Sequence, residues 1–129
     1  VQAYQQALAA EPNSVEAQLG LTLPLMALRR WADAERTLHQ ALKAAPGHYT
    51  AQSRLAYVRY QAGRFKAAEQ AYAAVLKLHP GDTEMRAGLG WSQLKQGRTT
   101  EARRAFDFVL RILPKHQSAL AGMQALTGA

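Results

Sequence analysis

The sequence predicts an all-α fold of stacked helix pairs, and three observations lead to that prediction. Prolines recur every 34 residues, at Pro12, Pro46, Pro80 and Pro114. Between them, apolar residues recur at helical spacing, pause at a turn and recur again. Alanine is abundant and β-branched residues are few, which favours helix over strand. Because one helix pair cannot bury its apolar face alone, such pairs must stack into a solenoid.

The proline spacing divides the chain into 34-residue units when Val15 is taken as position 1 of a unit. Three full units result: residues 15–48, 49–82 and 83–116. Residues 1–14 are predicted to be the second helix of a preceding unit. Residues 117–129 are predicted to be the first helix of a following unit or a capping helix. We therefore expect one domain, residues 1–129, of about eight helices, and we expect it to be a segment of a longer array.

Several positions hold the same type of residue in each unit, and each has a packing reason. Small residues at positions 8 and 20 allow two helices to approach closely, while large apolar residues at positions 7, 24 and 28 fill the space beside them. Gly63 and Gly97 stand at position 15, where the first helix must end, because glycine tolerates the left-handed backbone common there. Asp82 and Thr99 are predicted to cap the helices that follow them.

A 34-residue helix-turn-helix unit with this pattern resembles the tetratricopeptide repeat. The third unit matches best, with Leu89-Gly90, Gly97, Ala102, Phe106 and Pro114. The resemblance covers the whole chain and implies an all-α, right-handed superhelical solenoid whose first helices line a concave groove. It also implies a non-enzymatic scaffold that binds a peptide or helix segment of a partner protein in that groove.

The chain departs from the family pattern at three places, one of which is Pro24 inside the first helix of the first unit. Arg29 replaces the usual glycine at position 15 of the first unit. The family's tryptophan at position 4 is missing from every unit, where Gln18, Gln52 and Arg86 stand instead. The first unit therefore matches the pattern less well than the other two.

The resemblance implies which residues would contact a partner, because positions 2, 5, 6, 9, 12 and 13 of each unit point into the groove in this family. The candidates are Leu19, Leu23, Met26, Arg54, Tyr57, Tyr60, Glu84, Trp91, Leu94 and Lys95. They predict an apolar, aromatic groove, with charged groups that fix the orientation of the ligand. Gly88 and Gly122 would leave room for an incoming backbone. In the alternative interpretation, the apolar members pack on one another instead.

The sequence predicts no catalytic, cofactor-binding or metal site. The chain has no cysteine, and its four histidines do not pair at metal-ligand spacing. His48 and His116 both occupy position 34 and are interpreted as exposed turn residues. The glycines of Gly88 to Gly90 lack the Gly-Lys-Ser/Thr ending of a phosphate loop, so close helix packing explains them better.

The formal net charge is +7, and many of the basic residues fall on the second helices. They predict a basic convex face that could bind an anionic polymer, although a nucleic acid partner is not expected and a solvated surface is the simpler interpretation. The alternative function is a spacer or polymer-guiding segment, similar to repeat regions of bacterial envelope assemblies that export polysaccharide. The content of Ala and Arg favours a bacterial source. No membrane-spanning segment is predicted. Compartment, cytoplasm or periplasm, and oligomeric state are left open.

Overall fold

The computed structural model describes residues 14–128, and regular structure within that range is entirely helical, as the sequence predicts. The seven helices are α1 (Val15–Ala27), α2 (Trp31–Ala44), α3 (Tyr49–Gln61), α4 (Phe65–Leu78), α5 (Thr83–Lys95), α6 (Thr99–Ile112) and α7 (Gln117–Gly128). The helix expected within residues 1–14 falls outside the described residues, except for Ser14. We call α1, α3, α5 and α7 the first helices and α2, α4 and α6 the second helices of the repeats.

The chain forms two compact parts, Val1–Gly63 and Arg64–Ala129, which we call unit 1 and unit 2 and describe separately. They are larger than the 34-residue units of the sequence, which are called repeats from here on. In unit 1, a buried cluster around Leu38, Leu55 and Val58 joins α1, α2 and α3. In unit 2, a buried cluster around Phe106 and Val109 joins α5, α6 and α7. In both units the alanine at position 20 of a second helix is fully buried, which is the close helix approach that the alanine columns predict.

Each first helix is capped by the residue at position 34 of the preceding repeat. Ser14, His48, Asp82 and His116 each accept a hydrogen bond from the backbone N–H three residues later, at 3.1–3.4 Å. The predicted cap at Asp82 is confirmed. The interpretation of His48 and His116 as exposed turn residues is wrong, because both are only partly exposed and the Nδ1 atom of each imidazole caps the helix that follows. The predicted cap at Thr99 is also wrong: Thr99 is the first residue of α6, and Arg98 precedes it without a side-chain cap.

Position 15 has a left-handed backbone in all three full repeats. Gly63 and Gly97 have φ angles of 81° and 79°, and Arg29 has a φ of 58°. The turn at Arg29 has the same hydrogen bonding as the turn at Gly97, since the N–H of the next residue reaches a carbonyl five residues back in each, at 2.8 and 3.0 Å. Arg29 therefore carries the steric strain of a β-carbon in this conformation, which glycine avoids.

Phe106, at position 24, packs against two glycines in unit 2. A β-carbon on Gly90 would lie 2.7 Å from the phenyl ring, and one on Gly122 would lie 2.3 Å from it. Tyr72, at position 24 of the preceding repeat, occupies the space beside Gly88 in the same way, at 2.4 Å. The aromatic rings at position 24 thus fit between the helices because Gly88, Gly90 and Gly122 have no side chain.

Position 4 holds a polar side chain that fastens the preceding turn. The amide nitrogen of Gln52 donates to the carbonyl of Pro46 at 2.9 Å, and Arg86 Nη2 donates to the carbonyl of Pro80 at 2.8 Å. This link runs from position 4 of one repeat to the position-32 proline of the repeat before it. Hydrogen bonding to the turn thus takes the place of the tryptophan that the family carries at position 4.

A second polar link joins each second helix to the next first helix. Glu35 and Glu69 both occupy position 21, and each contacts position 11 of the following repeat. Arg59 Nε donates to Glu35 at 3.2 Å, and the Gln93 amide donates to Glu69 at 3.4 Å. In unit 2, Glu69 also accepts from Arg98 Nη1 at 2.6 Å. The partly buried glutamates therefore connect α2 to α3 in unit 1 and α4 to α5 in unit 2 through charged hydrogen bonds.

The Phe106 contact predicts that Gly90→Ala destabilises the protein. Forcing a methyl group against a buried ring costs about 1–3 kcal/mol, and the better helix propensity of alanine returns up to about 1 kcal/mol. We expect a net loss of about 1–2 kcal/mol in the free energy of unfolding, measured by urea denaturation. Gly81→Ala is the matched control, because a β-carbon there has no neighbour within 4 Å. An equal effect of the two substitutions would contradict the packing argument.

The strained turn predicts that Arg29→Gly stabilises the protein. Glycine removes a left-handed strain of about 1–2 kcal/mol but adds freedom to the unfolded chain, so the expected gain is about 0.5–1 kcal/mol. The melting temperature should rise accordingly. The reverse substitution, Gly97→Ala, should lower it, because only the backbone conformation disfavours a β-carbon there. No change in either variant would show that the turn relaxes without cost.

Candidate functional site

The first-helix face of unit 1 exposes two large apolar side chains at the same position of successive first helices. Leu23 and Tyr57 both occupy position 9, on α1 and α3, and they are 48% and 46% exposed. An apolar side chain held on a helix and half open to solvent is suited to anchor a partner. Of the apolar and aromatic residues among the ten predicted groove residues, these two are the most exposed relative to their size.

Arg54 links α3 to α1. Its Nη1 atom donates to the Leu19 carbonyl at 2.8 Å and to the Thr22 hydroxyl at 3.1 Å. The Thr22 hydroxyl is itself buried and donates to the same carbonyl at 2.6 Å. Arg54 was predicted to orient a ligand, and its guanidinium is already held in one place by these contacts.

The remaining unit 1 candidates lie deeper. Leu19 is a core residue with 7% of its surface exposed, so its side chain is not part of the surface that the sequence predicts it to line. Met26 packs against the same core. Tyr60 is half-buried, and this burial raises the pKa of its hydroxyl above the ordinary value.

In unit 2 the aromatic candidate at position 9 belongs to the packing. Trp91 Nε1 donates to the Ser118 hydroxyl at 3.0 Å, and the indole meets Phe106 edge to face at 5.7 Å between centroids. Leu94 packs against the same cluster. For these two residues, the contacts agree with the interpretation in which the apolar candidates pack on one another.

The charged candidates of unit 2 lie at the two ends of α5. Glu84 is exposed and accepts a hydrogen bond from His116 Nε2 at 2.6 Å. Because His116 Nδ1 accepts from the Ala119 N–H, the network assigns the imidazole proton to Nε2. Lys95 is exposed near the C-terminal end of the helix. Glu84 therefore links α5 to the cap of α7, while Lys95 is open to solvent.

The space beside two glycines is not free, which corrects the sequence interpretation. Gly88 and Gly122 were predicted to make room for a bound backbone. The rings of Tyr72 and Phe106 fill that space, with ring atoms 2.4 and 2.3 Å from where the β-carbons would be. Both glycines serve helix packing within unit 2.

Residues 14–128 offer no cluster of three or more histidine or carboxylate side chains that could hold a metal ion. Within the same range, no helix is both long and apolar enough to cross a membrane.

Sequence reasoning predicted the cap at Asp82 but missed the rest of the polar side of the repeat. The caps at position 34, the turn contacts at position 4 and the glutamates at position 21 recur on the same 34-residue spacing as the apolar columns. The 34-residue spacing was the sequence signal that could have revealed these contacts, since Glu35 and Glu69 both occupy position 21. The chemistry of each column differs between repeats, as in Ser14, His48, Asp82 and His116. A search for identical residues therefore does not find it.

A family model described as tetratricopeptide repeat matches residues 1–56, 25–91 and 59–126 of the chain. Among solved structures, a crystal structure of MamA superposes with a TM-score of 0.87 at 22% identity, covering 97% of this chain and 73% of that one. MamA AMB-1 gives 0.79 at 22% identity, covering 93% and 66%. The Arabidopsis OM64 TPR domain gives 0.81 at 18% identity, covering 88% and 94%. At such identities the likeness shows the fold, and the predicted repeat solenoid is confirmed. No curated protein gives a significant match.

The contacts of Arg54 predict that Arg54→Ala weakens the fold of unit 1. The substitution leaves the buried Thr22 hydroxyl and the Leu19 carbonyl without the guanidinium, which costs about 1–2 kcal/mol in the free energy of unfolding. Lys43→Ala is the control, because it removes the same charge from an exposed site, where the change should stay within about 0.5 kcal/mol. Equal stability of the two variants would show that the Arg54 contacts contribute nothing to folding.

Proposed function

The chain belongs to the tetratricopeptide repeat family, and on that premise we propose that it is an interaction scaffold that binds a peptide or helix segment on its first-helix faces. The repeat fold implies protein partners, and proteins built from it are generally non-enzymatic scaffolds. The proposal adds where the partner binds and which side chains it contacts. In unit 1 these are Leu23 and Tyr57, and in unit 2 the exposed ends of α5 at Glu84 and Lys95.

The exposure of Leu23 and Tyr57 carries the proposal. Most large apolar side chains of the first helices are buried or packed, including Leu19, Leu55 and Trp91. Leu23 and Tyr57 are not, although each lies in the middle of a helix whose other faces are covered. Burying two such side chains on a partner stabilises a complex by about 1–2 kcal/mol each. The fixed guanidinium of Arg54 on the same helix as Tyr57 lowers the entropy lost on binding.

The test compares protein capture by the parent chain and by two variants at low and moderate salt. Leu23→Ser/Tyr57→Ser removes the proposed anchors. Leu78→Ser removes an even more exposed apolar side chain, at the end of a second helix, and is the control. We expect a partner that the parent and the control retain at both salt concentrations and that the double variant loses. Retention of every partner by the double variant would overturn the proposal.

A second candidate function uses the basic surface of α6 and of the turn that follows it. Arg103, Arg104, Arg111 and Lys115 are all exposed, and none of the four forms a salt bridge within residues 14–128. This surface favours the alternative of a polymer-guiding segment in an envelope polysaccharide-export assembly, since clustered cations attract anionic chains. Alginate is a suitable anionic probe. Salt-sensitive binding that is lost in Arg103→Glu/Arg111→Glu, but kept in the Leu23→Ser/Tyr57→Ser variant, would favour this function over the first.

A further inference from the structure

A cavity of about 360 Å³ lies between α5 and α6 of unit 2, apart from the proposed peptide-binding residues. Its walls include Arg86, Leu89 and Gln93 from α5, and Glu101, Arg104 and Phe108 from α6. None of the ten predicted groove residues lines it. Cavities of this size are typical of sites that hold one small ligand or one large side chain.

The cavity lies beside position 4, where the family carries tryptophan and this repeat carries Arg86. Arg86 is drawn toward the preceding turn by its hydrogen bond to the Pro80 carbonyl. Its guanidinium carbon lies 4.3 Å from the centroid of the Phe108 ring. An aromatic ring and a cation that stack in this way provide a flat wall, against which a second aromatic ring can pack.

Two polar atoms at the cavity have no hydrogen-bond partner. Arg86 Nε and Gln93 Oε1 are both buried and unpaired. The Gln93 side chain is 8% exposed, and its amide nitrogen is committed to Glu69, so its oxygen is fixed as an acceptor. Buried polar groups are nearly always paired, so an unpaired donor and an unpaired acceptor among the lining residues indicate that the site takes up further polar groups, from water or from a ligand.

The charges around the cavity select an anion. The lining holds two arginines and one glutamate, which is a formal charge of +1. The carboxylate of Glu101 is already bound by Arg98, a contact that lowers the pKa of the Glu101 carboxyl. Arg104 is exposed at the opening, where its guanidinium can bind an incoming carboxylate through two parallel hydrogen bonds.

We propose that this cavity binds an aromatic carboxylate, with the ring against Phe108 and the Arg86 guanidinium and the carboxylate on Arg104. Leu89 closes the apolar side of the site. The same chemistry has two sources, a free aromatic acid or an aromatic residue next to an acidic residue in a peptide. The site is independent of Leu23 and Tyr57, so it can be tested whether or not the proposed scaffold function is correct.

Binding is measured by amide NMR titration of the full chain with two probes: 2-naphthoate, and the peptide acetyl-Ala-Trp-Asp-Ala-amide. We expect saturable shifts at Arg86, Gln93 and Phe108 with at least one probe. The probe that binds more tightly identifies the source. The neutral isostere 2-naphthylmethanol should bind about tenfold more weakly than naphthoate, because it cannot form the charged contact.

Three variants separate this site from general attraction to a basic surface. Arg104→Ala should weaken binding about tenfold, whereas Arg103→Ala, the adjacent exposed arginine outside the lining, should bind as the parent does. Arg86→Trp places the family's residue at position 4 and should abolish binding by filling the cavity. Absence of saturable shifts with both probes would overturn the proposal. So would equal losses in Arg104→Ala and Arg103→Ala, whatever the result for Arg86→Trp.

Discussion

The ring of Phe106 limits how closely α5, α6 and α7 of unit 2 approach one another. It lies on α6 and touches the places where Gly90 of α5 and Gly122 of α7 have no side chain, so three helices meet on one ring. The indole of Trp91 then rests on the edge of that ring and reaches Ser118 on α7. A close-packed interior does not tolerate even one extra methyl group without a shift. The positions of the other unit 2 side chains therefore depend on this contact.

The same constraint decides which residues remain for a partner. In the repeats that contain Gly88 and Gly122, the space beside position 6 is filled by the aromatic ring at position 24 of the preceding repeat. At position 9, Trp91 of unit 2 packs against the core, whereas Leu23 and Tyr57 of unit 1 stay open to solvent. A face that is nominally repeated is thus different in each unit. Partner specificity in a repeat protein arises from such differences, since the scaffold itself is common to all copies.

The apolar half of this structure was predictable from the sequence, and the polar half was only partly so. Helix pairs, the left-handed position 15 and the buried alanines at position 20 follow from spacing and from the conformational limits of glycine and proline. The two roles open to Gly88, room for a ligand or room for Tyr72, have the same sequence signature. Arg54 and Leu19 lie 35 residues apart in the chain, and only the coordinates show that they share a hydrogen bond.

The third repeat departs most from the polar pattern of the chain itself. Position 21 changes from Glu35 and Glu69 to Arg103, so the link to position 11 of the next repeat ends there and a cation is exposed instead. Position 4 changes from glutamine to Arg86 in the same repeat. Both changes add positive charge to the third repeat, but only Arg86 lines the cavity between α5 and α6. When local choices in a sequence stop serving the fold, selection for function is the usual cause. The proposed site for an anionic ligand uses Arg86, whereas Arg103 adds to the exposed basic surface of α6.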